Sequence, residues 1–439
     1  MKYFFLFITT LCFHTLTAQI TQKQINVFLN DTAVLSGHVG ISIYEPATKK
    51  YLYNYNADKN FTPSSNVKLF TMYAGMKYLG DSLVSAKISE RNDSLFFQPT
   101  GDPTFIHKDF LFQPLYNVLN NSKKRLAHVI TFKDQYSKYG SGWNWDDYQE
   151  DYMAERSRFS IYGNVFSFFK DKNIIQAIPD IIKPPYFKDS LIKYFRNTNS
   201  FKISRSQDYN VFFIGSNKEV FKSQQIPFKT HADIYTWGLQ IALLADKLEI
   251  DKDSIAEYFN DNFIWKKLHS QPTDSLLRPM MHNSDNFFAE QTLLMVSNEK
   301  LGYMSDEKII DTLLKTDFKD LPTKPRWVDG SGLSRYNLFS PKDFIFLLDK
   351  MKNEFGMDRI KNILPTAGQG TLKGYYENLS GLIYAKTGSM SNNVSLSGFL
   401  YTKKNKMIIF SIQINAYNGT GRAGRRAIEK MLQQIRENN

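Results

Sequence analysis

The chain has 439 residues, 42% of them hydrophobic and 15% aromatic, enough for two or three packed domains and too many for one ordinary domain. Its formal charge of +12 comes from scattered lysines, which permits attraction to an anionic surface but predicts no nucleic-acid partner. The seven histidines show no paired metal spacing and the only cysteine is Cys12, so neither a metal site nor a cofactor is predicted.

The first stretch reads as an export signal: Met1-Lys2, an apolar run from Tyr3 to Leu16, then Thr17-Ala18-Gln19, with cleavage expected after Ala18. A buried first helix is the structural alternative. Cys12 leaves with the signal, which excludes cysteine catalysis and disulfides in the mature chain. Thr9-Thr10-Leu11-Cys12 is a poor lipoprotein box, so no lipid anchor is predicted. The expected location is the periplasm or cell envelope.

Two strands follow. His38 to Glu45 places Val39, Ile41 and Ile43 on one face, Lys50 to Asn56 alternates with Tyr51, Tyr53 and Tyr55, and the turn at Glu45-Pro46 makes them a hairpin. Pro63 then opens a helix with Leu69, Phe70, Met72, Tyr73, Met76 and Leu79 at helical spacing. Ser65 and Lys68, three residues apart, project from the same face. From residue 89 the character changes to short strand-like runs (Ser94 to Phe97, His128 to Phe132, Val211 to Ile214) and a helix at Tyr235 to Leu248. We expect residues 89–271 to be an insertion dividing one domain into parts 19–88 and 272–439.

The second part begins with helical sequence on both sides of Ser284-Asp285-Asn286. A glycine-rich loop, Asp329 to Arg335, and a helix from Pro341 to Met351 come next. Three strand signals, Gly381 to Ala385, Val394 to Tyr401 and Met407 to Asn415, form a meander whose first strand is closed by Lys386-Thr387-Gly388. The C-terminal stripe of Ala427, Ile428, Met431, Leu432 and Ile435 is expected to pack on the sheet. Its other face carries Arg422, Arg425, Arg426, Lys430 and Arg436, so peripheral membrane contact is the alternative.

Ser-x-x-Lys alone is weak: the spacing recurs at Ser167/Lys170, Ser190/Lys193, Ser297/Lys300 and Ser305/Lys308. Only Ser65/Lys68 is followed by Ser-x-Asn at Ser284/Asn286 and then by Lys386-Thr387-Gly388. That is the motif order of penicillin-recognising serine enzymes. Further segments sharpen it: Gly101-Asp102-Pro103, Gly142-Trp143-Asn144-Trp145-Asp146-Asp147, the Asp329–Arg335 loop and Leu364-Pro365-Thr366-Ala367-Gly368. With these the chain resembles the D-alanyl-D-alanine carboxypeptidase/endopeptidases, the class C low-molecular-mass penicillin-binding proteins of peptidase family S13. The long gap between Ser65 and Ser284 has room for the extra domain this family carries there.

The resemblance implies an α/β (α+β) transpeptidase-like domain, with a five-stranded antiparallel sheet flanked by helices, and a mainly-β insertion. It implies a serine D-Ala-D-Ala carboxypeptidase, with D,D-endopeptidase activity as an extension, acting on peptidoglycan stem peptides and acylated by β-lactams. Ser65 is the expected nucleophile. Lys68 is its base, kept neutral by burial and by the charge of Lys386, since a free lysine with a pKa of about 10.4 is a poor base. Ser284 relays a proton to the leaving amine and Asn286 binds the substrate amide. The backbone N–H groups of Ser65 and Ser389 hold the oxyanion. Lys386, Thr387 and Ser389, a cation and two hydroxyls on a strand edge with Gly388 among them, grip the terminal carboxylate. Arg335 and Asp147 hold the diamino-acid side chain, or else form a structural salt bridge or loop cap. Trp143 and Trp145 read as core anchors of the insertion.

The chain departs from relatives at Gln369, at Ala154-Glu155 and at Ser391, which bears on side-chain preference. A serine β-lactamase or esterase and a catalytically silent wall-binding protein are the rival readings. The first lacks an identifiable deacylating carboxylate, and intact motifs argue against the second.

Overall fold

A computed structural model describes residues 22–171, 174–179, 192–195, 202–215, 223–230 and 263–439. The export signal and the expected helix at Tyr235 to Leu248 lie outside these residues.

The expected five-stranded antiparallel sheet is present. Strands β1 (His38–Glu45) and β2 (Lys50–Tyr55) form the hairpin, with β13 (Ile383–Met390), β14 (Asn393–Tyr401) and β15 (Met407–Asn415) as the meander, in the order β13-β14-β15-β1-β2. Alternation decides what each face meets. Val39, Ile41 and Ile43, with Ile408, Phe410, Ile412 and Ile414, turn to α1 (Gln22–Leu29) and to the C-terminal helix α9 (Gly421–Asn438). Ala427, Ile428, Met431, Leu432 and Ile435 of α9 are buried in this cluster, so the apolar stripe packs on the sheet.

The opposite face carries Ser42, Ser395, Ser397, Ser411 and Gln413, all buried. Beside it runs α2 (Lys68–Tyr78), against α4 (Thr273–His282), α5 (Asn286–Leu301) and α7 (Pro341–Phe355). Every residue of α2 from Lys68 to Met76 is buried. A helix apolar on all sides belongs at the centre of a core. Phe70 anchors it, with the rings of Phe318, Trp327, Phe339 and Phe344 centred 4.8–5.6 Å away.

From α2 the chain enters β3 (Ser82–Arg91), which pairs with β4 (Ser94–Pro99) and with the returning β12 (Lys266–Pro272); β5 (Arg125–His128) completes a four-stranded sheet. Between β5 and β12, β6 (Val165–Asp171) lies between β7 (Ile174–Ile178) and β11 (Ser223–Pro227), and β10 (Phe212–Gly215) lies between β8 (Ile192–Phe195) and β9 (Lys202–Arg205). The described part of this region has one α-helix, α3 (Pro114–Asn121).

Two boundaries differ from the sequence reading. The strand expected at His128 to Phe132 forms earlier, at β5. Val129 donates one last bond to the carbonyl of Phe97 (2.9 Å), after which the chain leaves the sheet and Phe132 is exposed. The first meander strand does not end at Ala385: it runs through Lys386-Thr387-Gly388 to Met390, paired with β14 as far as Met390–Asn393. Asn392, at φ +67°, closes a two-residue turn there. Lys, Thr, Gly and Ser carry no apolar alternation, so periodicity could not extend the strand across them.

Candidate active site

The Ser65 segment is a 3-10 turn, Ser64–Val67, leading into α2, and no side chain caps either element's N-terminus. It is fastened to the sheet by residues far away in sequence. Thr62 exchanges two hydrogen bonds with the Asn415 amide (2.6 and 3.1 Å), Ser395 Oγ donates to the Pro63 carbonyl (2.7 Å), and Asn66 Nδ2 donates to the Lys386 carbonyl (2.9 Å). Ser64 sits at φ +51° and Ser284 at φ +58°, backbone conformations costly for residues other than glycine that surrounding contacts must hold in place. Gly388 is required by proximity: a Cβ there would overlap Ser395 Oγ and crowd the Pro63 carbonyl. At Gly332 a Cβ would overlap the Ser64 carbonyl.

Lys68 is fully buried, and its Nζ has three partners: Asn286 Oδ1 at 2.6 Å, the Ser331 carbonyl at 2.7 Å and Ser65 Oγ at 3.1 Å. The first two can only accept. In the neutral amine they take both hydrogens, which leaves the lone pair facing Ser65 Oγ. Burial pushes the Lys68 pKa down to about 8, against the opposing pull of Asp329, Asp285 and Glu290.

Lys386, also fully buried, donates to Ser284 Oγ (2.9 Å) and to the Thr387 carbonyl (2.8 Å). Its pKa is held well below the ordinary lysine range by burial, and further by the charges of Lys68 and Arg425. The two ammonium groups repel each other, which disfavours charging both at once. Carboxylates oppose the effect of burial at Lys68, while at Lys386 burial and two cations act together.

Ser65, Lys68 and Asn286 thus form one hydrogen-bonded group, and Ser284 and Lys386 a second; Asn66 ties the two together through the Lys386 carbonyl. Thr387 Oγ1 lies 2.8 Å from Thr371 Oγ1. Ser389 is exposed and its hydroxyl donates to the Gly388 carbonyl (2.8 Å).

Arg335 and Asp147 are not joined. The Arg335 side chain is exposed, and neither residue forms an ion pair among the described residues. Asp147 faces the Tyr152 hydroxyl, whose pKa is raised by burial and then by this hydrogen bond; the Tyr152 carbonyl accepts from Asn286 Nδ2 (3.3 Å). The two tryptophans divide. Trp143 Nε1 donates to Asp329 Oδ2 (2.9 Å), tying its loop to the glycine-rich loop, whereas Trp145 is 72% exposed and anchors no core.

Sequence reasoning took Asp329 and its glycines as loop architecture, and passed over Glu290 and Arg156 in the frame around Lys68. Asp329 accepts from the backbone of Gly332 and Ser334, from Asn337 Nδ2 and from Trp143. Glu290 accepts from the Ser331 N–H (2.7 Å) and so fixes the peptide whose carbonyl receives Lys68. Glu290 lies four residues after Asn286 on α5, and that helical spacing was the available signal. Arg156 donates to Glu290 (3.3 Å) and Asp306 (2.6 Å), and to the carbonyls of Ser137 and Tyr139.

A serine hydroxyl, a buried low-pKa lysine and a lysine on an edge strand are the groups that serine acyl transfer of the penicillin-recognising kind requires. The sequence profile of the D-Ala-D-Ala carboxypeptidase 3 (S13) family matches residues 21–438, and the chain belongs to that family. It is a serine-type D-Ala-D-Ala carboxypeptidase, a peptidoglycan hydrolase of the penicillin-binding kind. It is 24% identical over 440 residues to penicillin-sensitive carboxypeptidase A of Dictyostelium discoideum, covering 85% of this chain and 82% of that one. It is 23% identical to D-alanyl-D-alanine carboxypeptidase DacB of Haemophilus influenzae, covering 83% and 82%. The fold superposes on the crystal structure of penicillin binding protein 4 from Haemophilus influenzae with a TM-score of 0.74 at 20% identity, covering 94% of this chain and 98% of that one. On Bd3459, a predatory peptidoglycan endopeptidase from Bdellovibrio bacteriovorus, the TM-score is 0.53 at 14% identity, covering 91% and 92%.

Proposed function

We propose that catalysis runs through an acyl-enzyme on Ser65, with Lys68 as its base. The observation that carries this reading is the pair of acceptor-only groups, Asn286 Oδ1 and the Ser331 carbonyl, which turn the Lys68 lone pair toward Ser65 Oγ. Lys68 takes the Ser65 proton as Oγ attacks the carbonyl of the penultimate D-Ala. The N–H groups of Ser65 and Ser389 stabilise the oxyanion. Ser284 relays to the leaving D-Ala amine the proton that Lys68 took, which returns Lys68 to its neutral form, and Lys386 beside Ser284 balances charge at that end. Water, deprotonated by Lys68, then releases the shortened peptide. β13 is an edge strand, so a stem peptide can lie along it as an added strand with its carboxylate toward Thr387 and Ser389.

Cross-links between D-Ala and a diamino acid present the same acyl group and a neighbouring carboxylate, so D,D-endopeptidase activity belongs to the same site. Asp147 and Arg335, of opposite charge, contact the amine and carboxylate of the diamino-acid side chain. We assign residues 89–271 as the insertion carrying Asp147, and the enzyme to the periplasm or cell envelope, where peptidoglycan lies. The test is release of D-Ala from Nα-acyl-L-lysyl-D-Ala-D-Ala, followed by chromatography beside turnover of a chromogenic cephalosporin. Peptide cleavage with a long-lived cephalosporin adduct is expected. Rapid cephalosporin turnover without D-Ala release would make the chain a β-lactamase instead.

A further inference from the structure

Beyond the three motifs, the described residues place at the site a cation that pairs with no carboxylate among them. Arg425, on the second turn of α9, donates from Nε (3.2 Å) and Nη2 (2.7 Å) to the hydroxyl of Ser389. Its neighbour Arg426 is neutralised by Glu429, whereas among the described residues Arg425 pairs with no carboxylate. It is only partly exposed. Its guanidinium lies over the ring of Tyr375, 5.9 Å from the centroid, and Gly424 brings its turn of helix against Val394 of β14. A guanidinium offers a planar fork of donors, and here two prongs meet on a hydroxyl that can fill only part of their hydrogen-bonding capacity.

The surroundings are electropositive on one side only. The carboxylates Asp285, Glu290 and Asp329 act on Lys68, while Lys68 and Arg425 act on Lys386. Among the described residues no carboxylate bonds to Lys386, Ser389 or Arg425, so this end of the site suits a negatively charged ligand group.

We propose that Arg425 is a substrate-binding residue that, with Ser389, grips the free carboxylate of the stem peptide, and by the same contact the carboxylate of a β-lactam. This deepens the acyl-enzyme reading above and rests on it. When the carboxylate arrives, the Ser389 hydroxyl turns from the Gly388 carbonyl to the ligand, and the Arg425 fork exchanges one hydroxyl partner for a charged one. Charge-assisted bonds of this kind favour carboxylate ligands over neutral analogues by about 10- to 100-fold.

The experiment uses the full chain and compares benzylpenicillin with its methyl ester, reading the rate of adduct formation at Ser65 by intact mass. In Arg425→Gln the ratio of acid to ester acylation falls about 10- to 100-fold. Arg425→Lys, which keeps the charge but not the fork, recovers part of the ratio. An unchanged ratio, or an equal fall with both compounds, overturns the assignment, since the residue would then be idle or merely a support for Ser389. Absence of any Ser65 adduct in the unmutated chain overturns the acyl-enzyme reading itself, and the assignment with it; that failure is visible before any Arg425 variant is made.

Discussion

Lys68→Ala lowers the rate of Ser65 acylation by penicillin about 100- to 10,000-fold, the range for loss of a general base. Two physical facts set this expectation. The Lys68 amine is held by two groups that cannot donate, and burial brings its pKa to about 8. The working form is the neutral one. Because the pKa is lowered, that form predominates above about 8 and is lost as pH falls. Acylation by the unmutated chain should therefore rise with pH and level off beyond about 8, and Lys68→Ala should remove this bend along with the rate. Acylation measured from pH 6 to 10 checks both. A variant that kept the bend would assign it to another group.

Arg156→Ala has the largest expected effect on stability. Arg156 and Glu290 are each 1% exposed and face each other, with Asp306 as the second carboxylate on the guanidinium. Removing the arginine leaves Glu290 buried and uncompensated, at a cost of about 3–5 kcal/mol. The loss depends on pH. Burial, then the charge of Asp329, raises the Glu290 pKa from 4.5 to about 7, while Arg156 pulls it down. A carboxyl group whose folded pKa is raised binds its proton more tightly in the folded chain, so its contribution to stability falls as pH climbs from about 4.5 to 7. Without Arg156 the pKa rises further and this fall continues to higher pH. Urea melts at pH 5 and pH 8 should show the variant closer to the unmutated chain at pH 5; an equal loss at both would mean that Glu290 is not the group left exposed to the change. Because Glu290 holds the Ser331 peptide, the same variant should also slow acylation.

Local spacing and motif order pointed to residues that the fold brings together. Ser65 and Lys68 are neighbours along one turn, Asn286 bonds to Lys68, and Ser284 bonds to Lys386. The hairpin and meander were legible because one face of each strand is apolar. The frame around Lys68 was hidden for a different reason: its members meet only in three dimensions. Asn66 reaches a carbonyl 320 positions away, and Arg156 reaches Glu290 across 134. Buried polar residues such as Arg156 and Glu290 resemble surface residues in sequence until their partners are known. The strand signal reached only to Ala385, with Lys386-Thr387-Gly388 closing it, because these residues carry no apolar alternation; β14 pairs with them and on through Met390. Trp145 failed in the opposite direction: it was expected to anchor a core together with Trp143 and instead stands in solvent.

The central claim is that Ser65, and not one of the other serines spaced three residues before a lysine, carries the acyl group. Intact-mass analysis after fluorescent penicillin, comparing the unmutated chain with Ser65→Ala, tests it directly. One adduct per chain is predicted for the unmutated protein and none for the variant; a fully labelled Ser65→Ala would show that the nucleophile is another residue.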